Sequence, residues 1–341
     1  MPRPGDVTGN HGLKGVQMTR IGVGAITRRR HDMLSDLLDS YSTMRVPDGC
    51  EVVFIFVEND TELTIRTMVD LFSRRTGHPA EVALEPRQGI PIARNRVLDI
   101  AVAAECDHLT FVDDDETVDP DWLTVLHAVA WQRDLDLVGG PVRYKAPDAV
   151  ELTWRQRAVL QQVKCQAKRA GERRKTRVEA GRDETIPVYT NNWMLRLAAQ
   201  KDTGVRFDER LRFTGGSDKK FFEDIKAAHG STGWAPDAMV SEVWPVSRLT
   251  FRYYYSRCRD QAATAMARKK KRFLKLEVTV FLLWGMLRAC VLAMVGIFDR
   301  GVSFARACRV AGTTVGRTRA VFGYSSSHYD PGRSCVHETH E

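Results

Sequence analysis

The stretch Leu109-Thr110-Phe111-Val112-Asp113-Asp114-Asp115-Glu116 constrains this chain more than any other. An apolar run too short for a helix stops at four consecutive acids. That pattern predicts a strand buried on both faces, as in a parallel sheet. Crowding like charges at its carboxyl end costs free energy unless a cation sits there. All-oxygen ligands suit Mg²⁺ or Mn²⁺, which combine carboxylates with phosphate oxygens and water. The alternative from the residues alone is a solvated acidic turn, with Asp119 or Asp121 capping the helix that follows.

Upstream, strands and helices alternate. Residues 20–26 form a first apolar run closed by Thr27, followed by helical spacing over 31–40. Residues 51–57 are a second buried strand ending at Glu58-Asn59-Asp60, followed by a helix over 61–73. A third strand covers 81–85, and Gly89-Ile90-Pro91-Ile92-Ala93-Arg94-Asn95 opens a helix that runs to Ala104. Gly22-Val23-Gly24 lacks the third glycine of a dinucleotide fingerprint. Such alternation implies βαβ units and a doubly wound α/β sheet. Right-handed crossovers then bring Thr27, Glu58 and Asp113 to Asp115 to one crevice at the strand ends, where ligands bind in such sheets.

Taken in order, Ile26-Thr27-Arg28, Val57-Glu58-Asn59-Asp60, the Gly89 to Asn95 motif and Phe111-Val112-Asp113-Asp114-Asp115-Glu116 resemble the nucleotide-sugar half of glycosyltransferase family 2. The likeness is closest to bacterial exopolysaccharide enzymes of the succinoglycan kind and runs from about residue 20 to 249. It implies the GT-A fold, a Rossmann-like, mostly parallel mixed sheet flanked by helices, over residues 19–250. It also implies that Thr27, Glu58 (usually Asp in the family) and Arg94 meet the nucleotide. Asp113 and Asp115 match the ends of the family's Asp-x-Asp motif, with Asp115 on a Mn²⁺ or Mg²⁺ ion and Asp113 on ribose or metal. Asp114, at the variable middle position, is either a donor contact or structural. A divalent ion would stabilise the charge that develops on a diphosphate leaving group.

Further along, Gly139 and Gly140 admit a close backbone approach to the sugar or a tight turn. Tyr189 to Leu195 reads as a buried strand carrying two amides. Asn191, Asn192 and Trp193 are therefore acceptor candidates, against a β-turn for the amides and a core or wall position for the tryptophan. In Gly215-Gly216-Ser217-Asp218, Ser217 and Asp218 are able to cap a helix. Resemblance instead makes Asp218 the general base of an inverting transfer, with Ser217 replacing the family's usual Glu. Residues 234–245 read as a final edge strand. The Gln-x-x-Arg-Trp motif of processive synthases is missing, which favours addition of one sugar; Arg257 and Arg259 are within reach of a diphosphate or belong to an ordinary basic helix.

The 341 residues carry a net charge of +8, gathered in 155–182 and 252–275. The first of these segments reads as a surface helix or mobile loop over the crevice. No zinc-finger, RNA-recognition or helix-turn-helix signature accompanies the basic clusters, so no nucleic-acid partner is expected. Seven scattered cysteines without a C-x-x-C pair point to a reducing compartment, and residues 1–18, a flexible lead-in, lack a signal peptide's apolar core. Arg268-Lys269-Lys270-Lys271-Arg272 precedes a long apolar stretch, 278–298, interrupted by Arg288 and flanked by more arginines. With both flanks basic, an interfacial or re-entrant segment on anionic lipid fits better than a span, and a buried helix is the alternative. Residues 251–322 would thus be a membrane-association region and 323–341 a disordered tail.

The expectation is a metal-dependent inverting glycosyltransferase at the cytoplasmic face of the plasma membrane. It would move one sugar from a nucleotide donor, UDP-linked by preference, to a lipid-linked saccharide, alone, as a homo-oligomer or among other polysaccharide enzymes. Two rivals stand: an idle nucleotide-sugar-binding assembly partner, and a nucleotidyltransferase. The second would carry a glycine-rich phosphate loop where Thr27-Arg28-Arg29-Arg30 stands.

Overall fold

The computed structural model describes residues 18–148, 150–212, 215–267 and 275–323. The expected lead-in, the basic run before the apolar stretch and the expected tail therefore lie outside the described residues, apart from Met18 and Gly323. The first half follows the predicted alternation: β1 Thr19–Thr27, α1 His31–Ser42, β2 Cys50–Glu58, α2 Arg66–Thr76, β3 Ala80–Leu84, α3 Ile90–Ala103 and β4 His108–Phe111. Then come β5 Glu116–Val118, α4 Trp122–Gln132, β6 Leu137–Gly139, β7 Val142–Lys145, α5 Trp154–Glu179, β8 Trp193–Arg196, α6 Leu197–Thr203 and α7 Ser217–Ala227. The chain continues with β9 Thr232–Trp234, β10 Val240–Val243, α8 Phe251–Ala267, α9 Lys275–Val295 and α10 Val302–Val321.

The main sheet has the order β3-β2-β1-β4-β8-β6-β9. All its pairings are parallel except those of β8, which runs antiparallel between β4 and β6. In β2 both faces are apolar, as a central parallel strand requires. Val52, Phe54 and Phe56 point to the layer with α1, α2 and α4, and Val53, Ile55 and Val57 to the layer with α3. A second sheet, β5-β10-β7, stands at the carboxyl end of β4.

Several boundaries differ from the sequence reading. Tyr189 to Asn192 form a turn, and the strand begins only at Trp193. The expected edge strand over 234–245 is two strands in different sheets, because Pro236 and Asp237 fall in a turn between them. β10 is central in its sheet, not an edge. The basic 155–182 segment is mostly one long helix, α5. It starts at a capping box in which the Thr153 hydroxyl accepts from Gln156 N–H and the Gln156 side chain accepts from Thr153 N–H.

α5, α8 and α10 enclose a third core of Val159, Leu160, Trp244, Leu249, Tyr254 and Ala305. α9 packs on α10. Among the described residues no helix is long and apolar enough to cross a membrane.

Candidate active site

β1 lies between β2 and β4, so three strand ends meet in one place. Thr27 stands in register with Glu58, and Gly24 with Phe111. Beyond Phe111 the chain must turn from the main sheet into β5, and the three aspartates occupy that turn.

Each aspartate has a different guanidinium environment. The Asp113 carboxylate accepts from Arg94 Nη2 at 3.1 Å and is 36% exposed, so it keeps a face to the crevice. Burial pushes this carboxyl up to about 6; Arg94 pulls the other way, while Asp115 and Asp114 add to the rise. Asp114 is buried and accepts from Thr27 Oγ1 at 2.8 Å and Arg30 Nη1 at 2.9 Å. It is thus a structural tie between β1 and the acidic turn, and the Thr27 hydroxyl spends its proton on that bond. Asp115 lies between Arg30 Nη1 at 3.7 Å and Arg248 Nη1 at 3.4 Å.

Behind the aspartates, Glu116 Oε2 accepts from the Asp113 backbone N–H at 3.0 Å and Oε1 from Asn191 Nδ2 at 3.0 Å. Burial, then the charges of Asp113 and Glu242, raise the Glu116 carboxyl well above the usual carboxylate range. Glu242, opposite it in register on β10, is pushed up to about 7 by burial despite the charge of Arg257. The Arg257 guanidinium lies 4.8 Å from the centre of the Trp244 ring, and Arg259 is occupied by Asp260 at 2.8 Å.

Arg94 is held by the turn that starts α3. Gly89 has φ +147°, a conformation L side chains rarely adopt, and a Cβ there would stand 2.7 Å from Arg212 Cβ. Its N–H donates to Asn59 Oδ1 at 2.8 Å, while Asn59 Nδ2 donates to the carbonyls of Glu85 and Arg87. Asn95 exchanges two 3.0 Å bonds with the Phe207 backbone, and the Phe207 ring lies 5.8 Å from the Arg94 guanidinium. Asn59 and Asn95 thus brace the site; the sequence motifs contained them, but local spacing gave no hint of their partners.

Other residues expected at the site have protein partners in this structure. Glu58 is 1% exposed, and its carboxylate accepts from Thr64 N–H, Thr64 Oγ1 and Ile65 N–H, tying down the loop before α2. Most of its acceptor capacity is therefore spent on the protein's own loop. Asn192 is 1% exposed; it accepts from Trp122 Nε1 at 2.8 Å and donates to the carbonyls of Pro141 and Ala238. Trp193 is core, stacked on Phe111 at 5.8 Å and edge-on to Phe221. Gly140 is small to let Asn192 and Ala238 O approach, since a Cβ would meet both at 2.5 Å. Asn191 reaches Glu116 rather than an acceptor in this arrangement.

Asp218 stands in the first turn of α7, partly exposed. The cap position belongs to Gly216, φ +83°, and no side chain caps the helix. Neither Ser217 nor Asp218 is therefore consumed as a cap. Among the described residues the Asp218 carboxylate takes one hydrogen bond, from the Lys219 N–H at 2.9 Å.

A divalent ion is compatible with this chemistry in one form. Among the described residues no group of three or more His, Cys, Asp or Glu side chains is arranged to hold an ion by itself. Asp113 and Asp115 offer oxygen donors from two side chains, the number a Mg²⁺ or Mn²⁺ ion uses when substrate phosphates and water complete its shell. Their like charges, already partly neutralised by three guanidiniums, favour such a cation.

A Rossmann-like mixed sheet with an acidic turn at the end of its fourth strand is the architecture the sequence led one to expect of a GT-A enzyme. The sequence model of glycosyl transferase family 2 matches residues 25–202, and the chain belongs to that family and is a glycosyltransferase. It is 32% identical over 240 residues to the succinoglycan biosynthesis protein ExoM of Rhizobium meliloti (strain 1021), across 70% of this chain and 71% of that one. Among solved structures it is similar to residues 1–349 of S. aureus TarS, with 14% identity, TM-score 0.48, and 90% and 92% of the two chains covered. A complex of the same protein with UDP-GlcNAc aligns with 15% identity, TM-score 0.47, and 89% and 92% covered.

Proposed function

We propose that this glycosyltransferase moves one sugar from a UDP-sugar to a lipid-linked saccharide during assembly of a cell-surface polysaccharide, at the cytoplasmic face of the plasma membrane. The observation that carries the reading is the acidic turn, where Asp113 and Asp115 stand beside Arg94, Arg30 and Arg248 at the strand ends. The succinoglycan relative supports the polysaccharide setting, and the scattered cysteines, free among the described residues, support a reducing compartment.

Asp113 and Asp115 would hold the divalent ion, which supplies positive charge to the departing diphosphate. Arg94 keeps Asp113 pointed at the crevice, and Arg248, 3.4 Å from Asp115, would be free to meet donor phosphate oxygens were Asp115 engaged elsewhere. Asp218 would take the proton from the acceptor hydroxyl. That oxygen bonds to the anomeric carbon from the face opposite the nucleotide, the bond from carbon to the diphosphate oxygen breaks, and its electron pair leaves with the UDP. The anomeric configuration inverts.

Detergent-solubilised protein incubated with a panel of nucleotide sugars and a lipid extract tests this. Metal-dependent release of nucleoside diphosphate from one donor is expected, reduced about 10²-fold or more by Asp218→Asn. Release of pyrophosphate would overturn the reading in favour of nucleotidyl transfer, and donor binding without turnover would overturn it in favour of an idle partner.

A further inference from the structure

The outer face of α9 is apolar and bare. Leu283, Trp284, Leu287 and Met294 are each between 57% and 66% exposed, and Ile297 and Phe298, just past the helix, are 78% and 88% exposed. At about 100° per residue, Leu283, Leu287, Val291 and Met294 share one stripe. The opposite side brings Gly285 and Ala289, and Gly296 just past the helix, close against α10. A Cβ at Gly285 would meet Thr314 Oγ1 at 2.3 Å, and one at Gly296 would meet Phe304 N at 2.6 Å. α9 therefore gives its narrow, small-residue side to the protein and its bulky side to the surroundings. A contiguous apolar face of this kind on a soluble domain marks an interaction site.

The patch continues beyond the helix. Trp154, 53% exposed at the start of α5, touches the α9–α10 turn, where a Cβ on Gly301 would stand 2.8 Å from its ring. Between them opens a concavity of about 600 Å³ lined by Trp154, Arg155, Phe251, Met294, Ile297 and Phe304.

Charge at the margin selects the occupant. Residues 279–323 contain six arginines and one acid, Asp299, and that acid is engaged with the Ser303 N–H. Arg155, Arg252, Arg288, Arg300 and Arg317 are all exposed. Arg155 stacks on Trp154 at 5.3 Å, and Arg317 on Phe281 at 5.6 Å. On the helical wheel Arg288 falls on the shoulder beside α10, about 110° from the centre of the apolar stripe, where its long stem reaches outward.

The geometry points to α9 as an in-plane anchor on an anionic lipid bilayer. Its Leu283–Leu287–Val291–Met294 stripe enters the acyl boundary, Trp154 and Trp284 lie at the interface, and the arginine margin meets lipid phosphates. Apolar burial and a polybasic patch are the two signals that together hold a peripheral protein. The attachment does not depend on which donor or acceptor the enzyme uses.

Full-length protein is sedimented with vesicles of phosphatidylcholine alone and with vesicles in which a third of the lipid is phosphatidylglycerol. Binding to the second and much weaker binding to the first are expected, with about tenfold or greater loss in a Leu287→Glu/Met294→Glu variant. That variant should keep nucleoside-diphosphate release in detergent, which reports that it is folded. Brominated lipid should quench wild-type tryptophan fluorescence, and Trp284→Phe should remove part of that quenching. Failure to bind anionic vesicles, or equal binding to neutral ones, would overturn the inference. So would a dimer that the double substitution converts to monomer without any vesicle binding, which would make the face a contact between copies of this chain.

Discussion

Glu116 and Glu242 stand directly opposite one another in the antiparallel β5–β10 pair, both buried. Like charges facing across strands destabilise the pair, and burial already lifts Glu242 to about 7. A carboxyl whose folded value lies above its unfolded value weakens the fold as pH rises between the two. At pH 8, in chelator, Glu242→Gln should therefore raise the melting temperature, by about 3 °C for a gain of about 1 kcal/mol. Near pH 5 the gain should vanish. Thermal melts at the two pH values check this, and an equal effect at both would refute it.

Arg248 competes with any cation for Asp115, since its Nη1 is 3.4 Å from the carboxylate. Removing an opposing charge at that range strengthens the pull on a divalent ion. Under the proposed mechanism, Arg248→Gln should lower the Mn²⁺ concentration that half-saturates nucleoside-diphosphate release, by about tenfold, while raising KM for the donor. A metal titration of initial rates reads both, and an unchanged Mn²⁺ requirement would show that the arginine does not screen the metal carboxylate.

Away from the crevice, Arg133 makes a two-point ion pair with Asp183, 2.7 and 2.9 Å, and the Trp234 N–H adds a third bond. Burial alone would raise the Asp183 carboxyl, but these partners hold it below its usual value. Its contribution is present above the unfolded value and is lost as pH falls through the folded one. Arg133→Met should cost about 3 kcal/mol at pH 7 by stranding a buried carboxylate, moderated by the 41% exposure of the arginine. Urea unfolding should show that gap closing below pH 4.

For Asn192 a structural penalty is expected in place of a kinetic one. Asn192→Ala strands Trp122 Nε1 and two carbonyls in the core, at about 2–4 kcal/mol. Acceptor KM should stay at the wild-type value in the fraction that remains folded. A raised KM with unchanged stability would return Asn192 to the acceptor site.

Much of the sheet was legible because β1, β2 and β4 are buried on both faces and announce themselves as unbroken apolar runs ending in polar groups. β8 was legible as apolar but not as antiparallel, since strand direction is chosen by partners 83 residues apart, such as Thr110 Oγ1 bonding Trp193 O. The 234–245 run was read as one strand for the same reason: which sheet a strand joins is decided far away in sequence. Within the site, the acidic turn declared itself through like charge at a strand end. Its guanidinium partners did not, because Arg30 and Arg248 lie 84 residues before Asp114 and 133 after Asp115. Glu58 misled because an acid at a strand end also suits backbone N–H groups of the next loop.

The acidic turn is clamped from both directions in sequence. β1 and Arg30 hold it from behind; Asn191, β10 and Arg248 hold it from ahead. A chain emerging from the ribosome folds its leading half first, so β1 to β4 can pair with Thr27, Arg30 and Arg94 already holding Asp113 and Asp114, while Asp115 still lacks Arg248. The turn reaches its final shape only when residue 248 has been made. A product broken off before β10 would therefore retain much of the sheet while the acidic turn lacked its later restraints.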